Sequence, residues 1–200
     1  KEDNYMNIID KRVLKKIKQY GKISQRQLSE VCGFSLGKVN QSIQFLQKDK
    51  YIDEEWNLTE KSTKLIDLYK PKKAIILAAG LGMRMVPINT EVPKALLTVK
   101  GETLIERLIH QLHEVNVYDI TVVVGFMKEE FEFLIDEYNV KLVCNMDYAK
   151  KNNLHSLAKV GSDLINTYII PCDIWCEINP FNSCELYSWY MIKNQETDNT

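Results

Sequence analysis

The sequence predicts an α/β fold, a doubly wound and mostly parallel sheet, preceded by a small and mainly helical domain. Three observations predict it. After residue 70, short apolar runs alternate with amphipathic helical stretches, the pattern of βαβ units. Before residue 70, helical periods follow one another with no apolar strand between them. The charge divides at the same place: residues 1–70 hold 14 Lys and Arg against 10 Asp and Glu, a net +4, and residues 71–200 hold 12 against 17, a net −5. Two hundred residues suit two domains, since one domain commonly holds roughly 100–150; the expected division is 1–70 and 71–200.

In the first domain, Ile9, Val13, Ile17 and Tyr20 recur at helical spacing and Gly21 stops the helix. Ser24 caps a second helix, with Gln27 completing a capping box and Leu28 and Val31 turned inward up to Gly33. Ser35 starts a third, with Val39, Ile43 and Leu46 on its inner face and Lys38, Asn40, Gln41, Gln44 and Lys48 on its outer face. Tyr51–Leu58 reads as a short hairpin, and Thr59 caps a last helix to about Tyr69.

Pro71-Lys72-Lys73 makes the joint. Ala74–Ala78 is an apolar run of buried-strand type that leads straight into glycines. Thr103 and Glu106 form a capping box before a helix with Ile105, Leu108, Leu112 and Val115 on one side. A strand at Ile120–Val124, a helix near Lys128–Tyr138, a strand at Val140–Asn145, a helix near Leu154–Ile165 and a strand at Tyr168–Pro171 complete the alternation. Ligands of such sheets bind at the carboxyl ends of the strands.

Composition excludes several classes. No run of about 18 apolar residues exists and the chain opens without a secretory pattern, so the expected address is the cytoplasm. Five cysteines, Cys32, Cys144, Cys172, Cys176 and Cys184, lack paired C-x-x-C spacing and read as reduced, packed thiols. His110, His113 and His155 have no partner set at ligand spacing and read as core or surface residues.

The chemistry concentrates after the first strand of the sheet. Ala78, Ala79, Gly80, Gly82 and Met83 form a bend whose glycines let backbone N–H groups approach a polyphosphate, and Arg84 adds charge for the same anion. Pro93-Lys94 follows. Asp173 comes just after the Tyr168–Pro171 strand, at the same edge, where a hard oxygen donor suits Mg²⁺.

The stretch LAAGLGMRMVPINTEVPKALLTVKGETLIE, Leu77–Glu106, resembles the signature of nucleotidyltransferases that make sugar nucleotides and related activated alcohols, a nucleotide-diphospho-sugar transferase-like fold. Val124-Gly125, Asn145, Tyr148-Ala149 and Asn152-Asn153 extend the similarity toward bacterial phosphocholine cytidylyltransferases. The resemblance implies that Gly80 and Gly82 cradle a nucleoside triphosphate, that Arg84 neutralises the departing pyrophosphate, that Lys94 holds the phosphate substrate at the α-phosphorus, and that Asp173 binds Mg²⁺. Met83 stands where the family often has Ser or Thr, which leaves the backbone cradle and removes a side-chain contact. Asn145 and Asn153 are the implied readers of cytosine, with a turn role for each as the alternative. Choline would sit against aromatic faces, and Trp175, Tyr187, Trp189 and Tyr190 are the candidates, or else strand residues. Family members continue beyond the matched stretch, so residues 71–200 are expected to be C-terminally incomplete.

The first domain resembles MarR-like winged helix-turn-helix domains of bacterial regulators, through ISQRQLSEVCGFSLGKVNQSIQFLQKDKYI and LTEKS. That implies DNA as a partner through Lys38, Asn40, Gln41 and Gln44, against packing on a partner protein; homodimers are common among such domains. CTP and phosphocholine are the expected substrates. A sugar-1-phosphate nucleotidyltransferase, and a regulator with a catalytically silent ligand-sensing domain, are the alternatives.

Overall fold

A computed structural model describes residues 6–80, 92–125, 127–147 and 153–192, which form two compact units. The first holds α1 (Ile8–Tyr20), α2 (Gln25–Cys32), α3 (Leu36–Lys48) and α4 (Glu60–Tyr69). Each start is set locally. Asn7 caps α1 in a capping box with Asp10, Ser24 caps α2 with Gln27, and the Thr59 hydroxyl accepts from the Ser62 N–H at the start of α4. Gly33, at φ 69°, ends α2 in the left-handed region that glycine enters without a Cβ clash.

Val13, Leu14, Leu28, Val39 and Leu46 are wholly buried between these helices, and each large apolar side chain so enclosed contributes about 1.5–3 kcal/mol. Val31 is exposed rather than turned inward, and Tyr20 is likewise outside the core. The expected hairpin is reduced to one bridge, Ile52 with Leu58, closed by the Asp53 N–H to the Asn57 carbonyl at 3.0 Å. Cys184 and Leu186 are also buried in this core. The described residues from Cys184 onward therefore belong to the first unit and not to the second domain, where they were expected, because their alternating apolar residues turn into the helical core.

The second unit, Pro71–Ser183, is built on a four-stranded parallel sheet of β1 (Lys73–Ala78), β4 (Asp119–Val124), β5 (Lys141–Cys144) and β6 (Thr167–Pro171), in the order β5-β4-β1-β6. Alternation along β1 places Ala74, Ile76 and Ala78 in one core and Ile75 and Ala79 in another on the opposite face. On the first face lies α5 (Leu104–Glu114), whose Ile105, Leu108, Ile109 and Leu112 are fully buried, with Leu134 of α6 (Phe133–Tyr138). On the other, α7 (Asn153–Ala158) brings Leu157 against Ile75 and Val123.

Three elements differ from expectation. The two-residue strands β2 (Thr98–Val99) and β3 (Glu102–Thr103) form a hairpin whose turn residues, Lys100 at φ 52° and Gly101 at φ 89°, are both left-handed, as a type I′ turn requires. Residues 128–131 coil as a tight 3-10 helix before α6 begins. The α7 helix stops at Ala158, short of Ile165, because Gly161 turns the chain at φ 111°. No helix among the described residues is long and apolar enough to cross a membrane.

Candidate functional site

In an open parallel sheet the ligand crevice lies where neighbouring strands send their connections to opposite sides. Here that place is between β1 and β6: after β1 the chain adds β4 and β5 on one side, then returns to add β6 on the other. Leu77 is level with Pro171, and the Cys172 N–H donates to the Leu77 carbonyl at 3.2 Å. The bend that begins at Ala79-Gly80 and the turn that carries Asp173 thus leave the sheet side by side.

Lys94 and Asp173, 79 residues apart, meet at this edge: Nζ donates to Oδ2 at 2.7 Å. Pro93 precedes a 3-10 helix, Lys94–Leu96, whose Ala95 is buried and whose Leu96 packs on the core, so the lysine is carried on an anchored turn. Both side chains remain partly open to water, at 29% and 43% exposure. An ion pair so exposed adds only about 0–1 kcal/mol to stability, and the fold loses little when a ligand takes either partner.

Ala78 and Ala79 are buried and offer only backbone here, while no atom lies within 4 Å of where a Cβ on Gly80 would stand. Among the described residues, packing therefore does not demand glycine at residue 80. Gly82, Met83 and Arg84 lie outside the described residues, as does the side chain of Asn153. Beside Asp173, burial and then the Asp173 charge push the Cys172 thiol up to about 12, which keeps it protonated and unsuited to metal ligation.

At the β4–β5 end of the same edge Asn145 is fully buried. Its N–H donates to the Val124 carbonyl at 2.8 Å, its Nδ2 to Ser156 Oγ at 2.9 Å, and its Oδ1 accepts from the Asp147 N–H at 3.0 Å. These bonds tie the end of β5 to α7. Sequence reasoning missed its neighbour: Asp147 Oδ2 lies 3.1 Å from His155 Nε2 and 3.4 Å from Lys159 Nζ. The His155 and Lys159 bonds lower the Asp147 pKa. A carboxylate and a histidine eight positions apart, across a strand end and a helix, leave no periodic signal. His110 is also partnered, by Glu102.

Of the four aromatic candidates, Trp175 lies in the second unit and Tyr187, Trp189 and Tyr190 in the first. Trp175 already has Lys100 Nζ 4.8 Å and Arg107 Cζ 5.6 Å from its ring centre. Tyr187 packs on the core of the first unit, where Arg12 and Lys15 each approach its ring to 5.7 Å, and Trp189 and Tyr190 fall in that unit too. Cys184 and Leu186 are buried in the helical core, so Tyr187, Trp189 and Tyr190 are not strand residues of the sheet. On α3, Lys38, Gln41 and Gln44 are exposed, whereas Asn40 is half-buried with its Oδ1 enclosed and unpartnered.

Residues 74–176 match the MobA-like NTP transferase domain family, and residues 6–53 match a winged helix-turn-helix DNA-binding family. The choline-phosphate cytidylyltransferase of Streptococcus pneumoniae is 45% identical over 111 residues, 56% of this chain and 48% of that one. The 2-aminoethylphosphonate cytidylyltransferase of Lancefieldella rimae is 47% identical over 85 residues, 42% of this chain and 35% of that one. The solved structure of the S. pneumoniae CTP:phosphocholine cytidylyltransferase superposes with a TM-score of 0.55 at 44% identity, over 56% of this chain and 50% of that one. The chain spans about half the length, or less, of the curated relatives it matches.

Proposed function

This chain belongs to the MobA-like NTP transferase family, and we propose that its second unit is the nucleotide-binding half of a cytidylyltransferase that moves CMP from CTP to phosphocholine. The observation that carries the proposal is the Lys94–Asp173 pair, held at 2.7 Å where β1 and β6 part. In this reaction a phosphomonoester oxygen attacks the α-phosphorus of CTP, a new P–O bond forms, and the α–β bridge breaks with its electron pair leaving on pyrophosphate. The attacking oxygen is already ionised, so no general base is required; the obstacle is bringing two anions together. Lys94 supplies positive charge at the meeting point, and the backbone at Gly80 can approach the triphosphate closely. Arg84, by its place in the motif, answers the leaving group.

Asp173 fits a divalent ion that it holds weakly alone and more tightly with substrate phosphates. It is a hard, half-exposed oxygen donor, and among the described residues no group of three or more His, Cys, Asp or Glu could enclose a metal alone. Mg²⁺ is commonly held by one or two carboxylates plus substrate phosphates. When bound, the ion would neutralise triphosphate charge. Asn145 and Ser156 tie β5 to α7, and Asn153 opens α7; cytosine recognition on this side rests on Asn153.

Phosphocholine and 2-aminoethylphosphonate, the compounds named for the two relatives, both join an anionic phosphorus group to an ammonium, so the acceptor decides between close readings. Full-length protein incubated with CTP, Mg²⁺ and either compound, or glucose 1-phosphate, is assayed for pyrophosphate. Release with phosphocholine is expected. Release only with glucose 1-phosphate would make the protein a sugar-nucleotide enzyme, and no release with any acceptor, together with CTP-modulated DNA binding, would make it a regulator. The first unit is proposed to contact DNA through Lys38, Gln41 and Gln44, which are exposed on α3. Lys38→Ala should reduce the salt slope of duplex binding by about one.

A further inference from the structure

The residues from Cys172 to Asn179 form no helix or strand, so their carbonyls need partners from elsewhere. They find them on one side of α5. Arg107 donates from Nε to the Cys176 carbonyl at 3.2 Å and from an Nη to the Glu177 carbonyl at 2.6 Å. One turn on, Gln111 Nε2 donates to the Cys176 carbonyl at 2.8 Å. Asn179 Nδ2 closes the segment, bonding the Gln111 carbonyl and the Glu114 carboxylate at 2.7 Å each. Arg107, Gln111 and Glu114 recur at i, i+4 and i+7, a side of α5 distinct from the one buried by Ile105, Leu108, Ile109 and Leu112.

Asp173 therefore hangs between two fixed points: the Cys172 N–H bonded to Leu77 of β1, and Cys176 and Glu177 bonded to α5. A guanidinium presents several donors in a rigid fork, so one side chain can fix two successive carbonyls. We infer that Arg107, assisted by Gln111, is a positioning residue for Asp173, setting where its carboxylate stands against Lys94 and toward a divalent cation. The inference rests on the metal role proposed for Asp173.

The test uses Mn²⁺ alone, read by paramagnetic broadening of the Asp173 amide signal in native protein, Arg107→Met, Arg107→Lys, Gln111→Met and Ile120→Val. Met keeps an unbranched aliphatic stem and removes the fork; Lys restores a charged donor; Ile120→Val weakens the sheet core away from the loop. The half-effect concentration of Mn²⁺ should rise about fivefold to tenfold in Arg107→Met, less in Arg107→Lys and Gln111→Met, and stay within twofold of native in Ile120→Val despite a lower Tm. An unchanged concentration in Arg107→Met, an equal shift in Ile120→Val, or no broadening at Asp173 in native protein overturns the inference. Calorimetry with CTP separates the two claims: Arg107-dependent Mn²⁺ binding in a native protein that takes no CTP would remove the cytidylyl reading and leave the clamp standing.

Discussion

Two polar residues at the two ends of the sheet's carboxyl edge, Asp173 and Asn145, are in opposite states. At the β1–β6 end, Lys94 and Asp173 share one hydrogen bond and remain half-open to water. At the β4–β5 end, Asn145 is enclosed with both its amide groups bonded within the protein, while Asp147 beside it, 48% exposed, pairs with His155 and Lys159. The difference divides a pair that a ligand could take over from a group that supports the fold. A polar group already satisfied inside the fold costs free energy to redirect, whereas an exposed ion pair exchanges its partner for a ligand at little cost.

Breaking the open pair should have the largest effect. Lys94→Ala is expected to lower turnover of the full-length protein about 100- to 1000-fold, equivalent to roughly 3–4 kcal/mol of charge stabilisation, with Tm nearly unchanged because the pair is exposed. Asp173→Asn should raise the Mg²⁺ concentration for half-maximal rate by about tenfold, roughly 1.4 kcal/mol. Unaltered steady-state kinetics in both variants would leave the two ends alike and remove the catalytic assignment.

The closed end should respond in stability. Asn145→Ala is expected to cost about 1–3 kcal/mol in denaturant unfolding, since Ser156 and the Asp147 N–H lose a buried partner, with the preference for CTP over UTP retained. A lost base preference without loss of stability would instead make Asn145 a base reader and erase the contrast.

A smaller effect comes from the cap of α5, the helix that carries Arg107. The Thr103 hydroxyl, then its N–H, and the Tyr138 hydroxyl donate to Glu106 and hold its pKa below the ordinary carboxylate value, with burial opposing them. A depressed folded pKa means that this contribution is present above the unfolded value of about 4.3 and is lost as pH falls through the folded one. Glu106→Gln should therefore cost about 0.5–1 kcal/mol at pH 7 and flatten the acid limb of stability against pH. An acid limb identical to native would show that the cap does not couple to ionisation.

Much of this was legible locally. Ser24, Thr59 and Thr103 announce helix starts because a cap acts within three residues, and the parallel strands show as short apolar runs because both their faces are covered. The β2–β3 hairpin was not visible, because two-residue strands have no period to detect, and α7 was drawn too long by passing over Gly161. Lys94 and Asp173 could each be named from the motif that carries it; neither motif states that they stand 2.7 Å apart.

By itself the sequence determined the order of the main helices and strands and the caps that start several of them, since these follow from spacings of a few residues. Tertiary structure alone decided that Asn145 is enclosed while Asp173 is open, that Cys184 and Leu186 join the helical core, and that α5 holds the Asp173 turn. Burial and hydrogen-bond partnership depend on what other elements bring to the same point in space, and no local pattern records that.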